Sequence, residues 1–308
     1  MIDNNVSLHF ISLNVRGMRD DNLKRKKIFS WLHAQNTDIA CLQETFWTNE
    51  LEDKITSEWT GPCYFSHGSN HSKGVSILFK KNLPIEIVNV YVKYDGRAVA
   101  VRISHKNNCY LILNVYAPTK LTDKRKFYKN ISIWSKKIIK QEDLLICGGG
   151  WNTIQTPTLD TRGVASVYKT PHSFRKFIKK NKLVDVWRKI NPTKKQFTWR
   201  QNSLGIYSRL DYWLISSILC PTVYSTDIRP ALKCDHNAIS LKLKISSSAR
   251  GKGYWKINNA LLLDETFKNS IRNLIQKVKL EYVHENPQVI WEICKIKIRE
   301  FATKYSKD

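Results

Sequence analysis

The stretch from Asp143 to Asn152 constrains this chain most: Asp-Leu-Leu-Ile-Cys-Gly-Gly-Gly-Trp-Asn. An unbroken apolar run of strand length fits a β-strand covered on both faces. Glycines directly after it let the backbone turn sharply and approach a ligand closely. Catalytic groups often sit on loops at strand ends. This loop carries no carboxylate, because Gly150 contributes no side chain.

Other segments supply the rest of a layered α/β core. Leu8–Leu13, Asp38–Glu44, Gly74–Phe79, Ile85–Val92, Ala98–Ile103 and Tyr110–Pro118 read as strands, and Ile239–Ile245 as the last one. Residues 23–32, 124–140 and 171–182 show the 3.6-residue periodicity of amphipathic helices; Phe127, Ile131, Trp134 and Ile138 mark the inner face of the second. Phe197–Trp199 and Ser208–Ile215 are predicted to pair around the polar loop Arg200–Tyr207. Ser246–Gly253 reads as a linker, and Ala260–Lys279 and Gln288–Tyr305 as lysine-rich helices. The expected domains are therefore 1–245 and 246–308.

Polar residues recur at the ends of these apolar runs. Asn14, Glu44, Tyr116, Asn152, Asp211 and the pair Asp235-His236 all lie at strand ends or in adjoining loops. Singly, each reads equally well as a solvated or capping residue. Jointly they predict one polar cluster at one edge of a β core. Carboxylates without C-x-x-C or paired-histidine ligands suit a hard, oxygen-liking cation, with Mg²⁺ as the default. His236 could hydrogen-bond or protonate a phosphate, oriented by Asp211. These parts fit phosphodiester hydrolysis.

Charge narrows the substrate. Lys and Arg number 51 against 26 Asp and Glu, a formal net charge of +25. Such an excess of one sign invites a polyanion and argues against a small-substrate phosphatase. The seven cysteines form no C-x-x-C pair and read as reduced core residues. No P-loop, signal peptide or membrane-length apolar run is found in the sequence, so neither a membrane nor a small-molecule cofactor is expected as a partner.

At Leu13–Gly17, Leu42–Thr45, Asn114–Pro118, Gly148–Asn152, Ser208–Tyr212 and Asp235–Ile239 the chain resembles the endonuclease/exonuclease/phosphatase superfamily. Within it, the likeness is to the apurinic-endonuclease-like domain at the start of the second-reading-frame (reverse transcriptase) proteins of LINE-type retrotransposons. The motifs span roughly residues 6–245 and keep the family's order. The resemblance implies a four-layer α/β sandwich, two packed mixed β-sheets flanked by helices, followed by a helical C-terminal extension. Residues 253–295 resemble the segment that leads toward the reverse transcriptase in such elements, and no polymerase motif occurs in the 308 residues.

The same resemblance implies a Mg²⁺-dependent DNA endonuclease, with Mn²⁺ as the alternative metal, that nicks double-stranded target DNA in the nucleus. The cytoplasm is a further location, and element RNA a second nucleic-acid partner. Glu44 would be the main metal ligand, with Asp235 at the metal or orienting the histidine. His236 would contact the scissile phosphate, paired with Asp211, Asn152 would position the phosphate or the attacking water, and Tyr116 and Asn14 would support the site. Asp185 and Thr198 fall where the family often has supporting groups. Arg16, Thr198, Arg200, Ser208 and Arg209 are the expected nucleic-acid contacts, and the Arg200–Tyr207 hairpin would enter a groove.

Two positions depart from the family pattern. Arg16 stands where some branches carry an aspartate near the metal. Gly150 stands where the family's Gly-Asp-Phe/Trp-Asn motif has its water-activating aspartate. Loss of a general base commonly costs ~10²–10⁴ in rate. The expectation is a weakly active or inactive nuclease, and its alternative is a non-catalytic nucleic-acid-binding remnant of the same fold.

Overall fold

The computed structural model describes residues 6–69, 71–93, 95–163, 170–231, 234–245 and 259–306. The first half runs β1 (Val6–Asn14), α1 (Asn22–Ala34), β2 (Ile39–Gln43), α2 (Glu52–Trp59), β3 (Cys63–Ser66), β4 (Val75–Phe79), β5 (Glu86–Lys93), β6 (Ala98–His105), β7 (Asn108–Tyr116), α3 (Leu121–Ile138) and β8 (Leu144–Gly150). Then come α4 (Pro157–Asp160), β9 (Thr161–Arg162), α5 (His172–Lys180), β10 (Leu183–Asp185), α6 (Val186–Ile190), β11 (Trp199–Gln201), β12 (Ile206–Ser208), β13 (Leu214–Ser216), β14 (Val223–Arg229) and β15 (Ala238–Ile245). Two long helices follow, α7 (Glu265–Glu281) and α8 (Pro287–Tyr305). Two compact units result, Met1–Ala249 and Arg250–Asp308.

Two six-stranded sheets organise the first unit, in the orders β14-β15-β1-β2-β4-β3 and β10-β13-β8-β7-β6-β5. Both are mixed. Each contains one parallel pair, β1–β2 and β7–β8, and a parallel pair needs a crossover, here α1 and α3. The inner faces meet in one apolar layer that includes Phe10, Ile77, Val101, Ile146, Trp213 and Leu241. Helices α3 and α5 cover the outer face of one sheet through Phe127, Ile131, Phe174 and Phe177. On the other sheet, Ile28, Phe29, Ile55 and Trp59 of α1 and α2 do the same. This is the expected four-layer sandwich.

Polar side chains also cross the inter-sheet layer. Gln43 Nε2 donates to Asn114 Oδ1 at 2.7 Å, and Asn114 Nδ2 donates to the Leu42 and Ser76 carbonyls at 2.8 Å. Buried polar groups persist when they are hydrogen-bonded, and this bridge ties the two sheets just below the ends of β2 and β7.

The glycines closing β8 differ in kind. A Cβ on Gly148 would lie 2.4 Å from the Trp213 ring, and one on Gly149 would lie 2.1 Å from the Val115 carbonyl. Gly149 also has φ +126°, a conformation that L side chains rarely adopt. Gly149→Ala is therefore expected to destabilise the first unit by about 2 kcal/mol or more, read as a lowered midpoint in chemical denaturation. An unchanged midpoint would contradict the packing argument.

The structure corrects several sequence expectations. Ser208–Ile215 is not one strand: β12 ends at Ser208, Leu210–Tyr212 turn away, and Leu214–Ser216 pair with β8 and β10 in the large sheet. The hairpin is shorter, Trp199–Gln201 against Ile206–Ser208, and extends to β9 as a small third sheet. Helix α2 and strands β3 and β14 were not predicted. The linker Ser246–Gly253 lies outside the described residues. All seven cysteines are free.

Helices α7 and α8 of the second unit pack through Phe267, Phe301 and Tyr305, whose ring centroids lie 5.2–5.8 Å apart. Asp264 caps α7 and accepts from the Tyr305 hydroxyl at 2.8 Å. Among the described residues no helix is long and apolar enough to cross a membrane.

Candidate active site

Parallel pairing places the C-terminal ends of β1 and β2 together, and likewise those of β7 and β8. Asn14 sits beside Gln43 in the first register and Tyr116 beside Gly150 in the second. Backbone bonds extend the alignment past the strands: Gly17 N–H donates to the Glu44 carbonyl at 2.7 Å, and Ala117 N–H to the Gly150 carbonyl at 2.8 Å. Trp151 N–H donates to the Leu210 carbonyl at 3.0 Å and Tyr212 N–H to the Gly149 carbonyl at 3.2 Å. These bonds set Asp211 against Gly150 as a one-residue antiparallel bridge.

The side chains then form two separate hydrogen-bonded pairs, one at Glu44 and one at Asp211. Asn14 Nδ2 donates to Glu44 Oε1 at 2.7 Å. Tyr116 lies close enough to Glu44 to feel its charge. His236 Nδ1 lies 2.9 Å from Asp211 Oδ2, with both side chains buried. Asn152 Nδ2 donates to the Ala117 carbonyl at 2.5 Å, which ties the β8 loop to the end of β7. Three of the loop residues, Arg16, Glu44 and Asn152, adopt left-handed backbone conformations with φ of 47°, 53° and 47°. Non-glycine residues held there are uncommon and cluster at functional sites.

Electrostatics follow from this crowding. Burial raises the Tyr116 phenol well above its ordinary pKa, and the neighbouring Glu44 charge and hydrogen bond add to it, so the phenol keeps its proton. For His236, burial alone would lower the pKa. The charge and hydrogen bond of Asp211, then the charges of Asp235 and Glu44, outweigh burial and raise it. The imidazole therefore carries a proton at higher pH than a free histidine.

Thr198 and Arg209 act inside the protein. Thr198 is fully buried, and its Oγ1 accepts the Leu210 and Asp211 backbone N–H groups at 2.9 and 3.1 Å. It fixes the backbone of Asp211. Arg209 is 1 % exposed; its guanidinium donates to Asp160 at 2.8 and 3.2 Å and to Asp185 at 2.7 Å. Ser208 is also buried, in the register between Trp199 and Thr161. Thr198, Ser208 and Arg209 were expected at the nucleic-acid face and are corrected: none presents its side chain to solvent. Arg16 and Arg200 are exposed beside the site. Arg16 Nη1 pairs with Asp235 Oδ2 at 3.3 Å, and Arg200 N–H donates to the Asp235 carbonyl at 3.3 Å.

Sequence reasoning missed Arg97. Its guanidinium lies 5.3 Å from the centroid of the Tyr116 ring and donates to the Tyr116 carbonyl at 3.1 Å. The only signal was its place after the Asp95-Gly96 turn.

The chain that carries this site matches a known family. Residues 11–240 match the model of the Endonuclease/Exonuclease/phosphatase family. The chain belongs to that family. It is 32 % identical over 310 residues to the Transposon TX1 uncharacterized 149 kDa protein of Xenopus laevis, covering 98 % of this chain and 23 % of that protein. Identity to Craniofacial development protein 2 of Bos taurus is 24 % over 243 residues, covering 75 % of this chain and 40 % of that one. The chain thus spans less than half of either relative. Among solved structures it superimposes on an AP endonuclease from Archaeoglobus fulgidus with a TM-score of 0.63, at 20 % identity, covering 77 % of this chain and 100 % of that one. For AP endonuclease LMAP from Leishmania major the TM-score is 0.61, at 16 % identity, covering 80 % and 92 %. Both likenesses fix the fold.

Among the described residues no group of three or more His, Cys, Asp and Glu side chains is arranged to hold an ion. Glu44 is held in place by Asn14, and Asp235 pairs with Arg16 through Oδ2 while its buried Oδ1 has no hydrogen-bond partner among the described residues. Oxygen-only donors in this small number fit a hard cation that keeps several waters.

Proposed function

We propose that this chain is a Mg²⁺-dependent endonuclease that nicks double-stranded DNA, acting as the DNA-cleaving part of a transposon-encoded protein. The observation that carries the reading is the gathering of two hydrogen-bonded pairs at the strand ends, Asn14 with Glu44 and Asp211 with His236, with Tyr116 beside the Glu44 charge. Glu44 and Asp235 would hold the metal. When bound, the ion supplies positive charge to a phosphoryl oxygen and to the leaving oxygen.

The remaining work belongs to the side chains. A His236 held cationic by Asp211 donates to a non-bridging phosphate oxygen, where negative charge grows during attack. Asn152 offers a neutral donor at the same edge through the amide hydrogen not given to Ala117, while Tyr116 keeps its proton toward Glu44. The net charge of +25 supplies long-range attraction for a polyanion, and Arg16 and Arg200 give it exposed guanidinium groups beside the site. The TX1 relative is transposon-encoded by its name and the solved neighbours are AP endonucleases, which supports DNA as the substrate.

The test is conversion of supercoiled plasmid to open circles with Mg²⁺, comparing the unmodified protein with Glu44→Ala. Slow nicking is expected from the unmodified protein, reduced by roughly 10²-fold or more in the variant. Equal rates would refute Glu44 as the metal ligand. Tight DNA binding with no nicking by any variant would favour a non-catalytic binding module.

A further inference from the structure

Gly150 leaves a place for a side chain that the other two glycines do not. A Cβ built there would have two atoms from elsewhere in the chain within 4 Å: Asp211 Oδ1 at 3.3 Å and Tyr116 Cδ2 at 3.5 Å. Its backbone lies outside the left-handed region. The methyl-sized space is thus bounded by a carboxylate oxygen and a ring edge.

That oxygen is unusual. Asp211 is 4 % exposed, and its two oxygens differ in use. Oδ2 serves His236 at 2.9 Å, while Oδ1 has no hydrogen-bond partner among the described residues. Leaving a buried carboxylate oxygen unsatisfied costs about 1–3 kcal/mol or more. A water molecule is close to a methyl group in size and can supply the missing donor. The Asp211 side chain cannot swing away to reach another donor without losing His236, and its backbone is pinned by Thr198 Oγ1.

We propose that in this chain Asp211 Oδ1 holds and deprotonates the attacking water in the space beside Gly150. This rests on the nuclease reading above and reassigns one role within it. The water oxygen forms the new bond to phosphorus as the bond from phosphorus to the leaving ester oxygen breaks. The water's proton passes to Asp211 Oδ1, and the leaving oxygen takes a proton from bulk water. One carboxylate thereby serves two partners, His236 through Oδ2 and the water through Oδ1. Divided use makes Asp211 a weaker base than a dedicated aspartate, so turnover is slow without being abolished.

Plasmid nicking by the unmodified protein, Gly150→Ala and Gly150→Ser tests this, with DNA affinity and melting temperature measured for each. Both substitutions put a β-carbon where the water is held. The expected result is a loss of about tenfold or more in nicking rate, with DNA affinity and melting temperature unchanged. A purely structural effect would instead lower the melting temperature. Gly150→Ala and Gly150→Ser nicking as fast as the unmodified protein would overturn the role of Asp211 and leave the nuclease reading intact. An inactive unmodified protein beside an active Gly150→Asp would do the same. No nicking by any of the four proteins would remove the nuclease reading, and this proposal with it.

Discussion

Gly150→Asp is expected to raise the rate of plasmid nicking by about 10²–10⁴, the usual contribution of a positioned general base. Three features of the site support a gain over a misfolded variant. The Gly150 backbone is not left-handed, so an L side chain fits its conformation. Its Cβ would approach Asp211 Oδ1 at 3.3 Å, which that side chain can relieve by moving a few tenths of an ångström. Gly148 and Gly149, where a Cβ would strike Trp213 and Val115, are left alone. The opposing term is like charge, since a second carboxylate beside Asp211 makes one of the two harder to ionise. The protonated His236 and the basic surroundings offset part of that repulsion. Initial rates on supercoiled plasmid decide the matter, and a Glu44→Ala change in the same background should abolish the gain. A rate equal to or below that of the unmodified protein would show that the missing aspartate is not what limits this site.

Legibility in the sequence divided along physical lines. The sheet strands β1, β2, β4, β7 and β8 are long apolar runs with turn residues at their ends, and those signals are local. The site residues Asn14, Glu44, Tyr116, Asn152, Asp211 and His236 were readable because each interrupts or follows such a run. The β11–β12 region misled, because Leu210–Ile215 is apolar enough to continue a strand. The chain instead leaves the hairpin at Arg209 to reach Asp160, a long-range ion pair that no local pattern encodes. Arg209 illustrates the limit: an arginine between a serine and a leucine reads as a surface cation, and only the fold reveals its two buried carboxylate partners. Asp143 shows the converse. It looked like the start of a strand, and it holds the buried Arg102 through two bonds of 2.9 and 2.7 Å.

Asp160→Asn is expected to be the most destabilising single change near the site, by about 3–5 kcal/mol. Asp160 is fully buried and accepts from Arg209, from Arg188 at 2.7 Å and from the Thr156 backbone N–H at 2.9 Å. Two guanidinium groups share this carboxylate; Asp185 bonds Arg209 as well, but among the described residues the Arg188 guanidinium has only the Asn191 and Lys194 carbonyls as its other hydrogen-bond partners. Removing one partner of a buried pair leaves the other charge uncompensated, which costs more than the pair contributes. For a unit of this size such a loss lowers the melting temperature by about 6–20 °C. The pH dependence carries the sign. Burial pushes the Asp160 carboxyl up, but the Arg209 hydrogen bond and charge, the Thr156 amide and Arg188 overcome it and hold the pKa below the ordinary carboxylate value. Its contribution is thus present above the unfolded-state value of about 3.9 and is lost as pH falls through the lower folded value. Melting curves at neutral and acid pH test both parts: the variant should melt lower at pH 7 and lose less stability on acidification. A melting temperature within about 2 °C of the unmodified protein at pH 7 would show that Arg209 and Arg188 find other partners. In that case the cluster does not hold the Arg209–Tyr212 segment in place. That segment carries Asp211, so the activity of the variant should fall with its stability even though Asp160 touches neither Asp211 nor His236 by any hydrogen bond among the described residues.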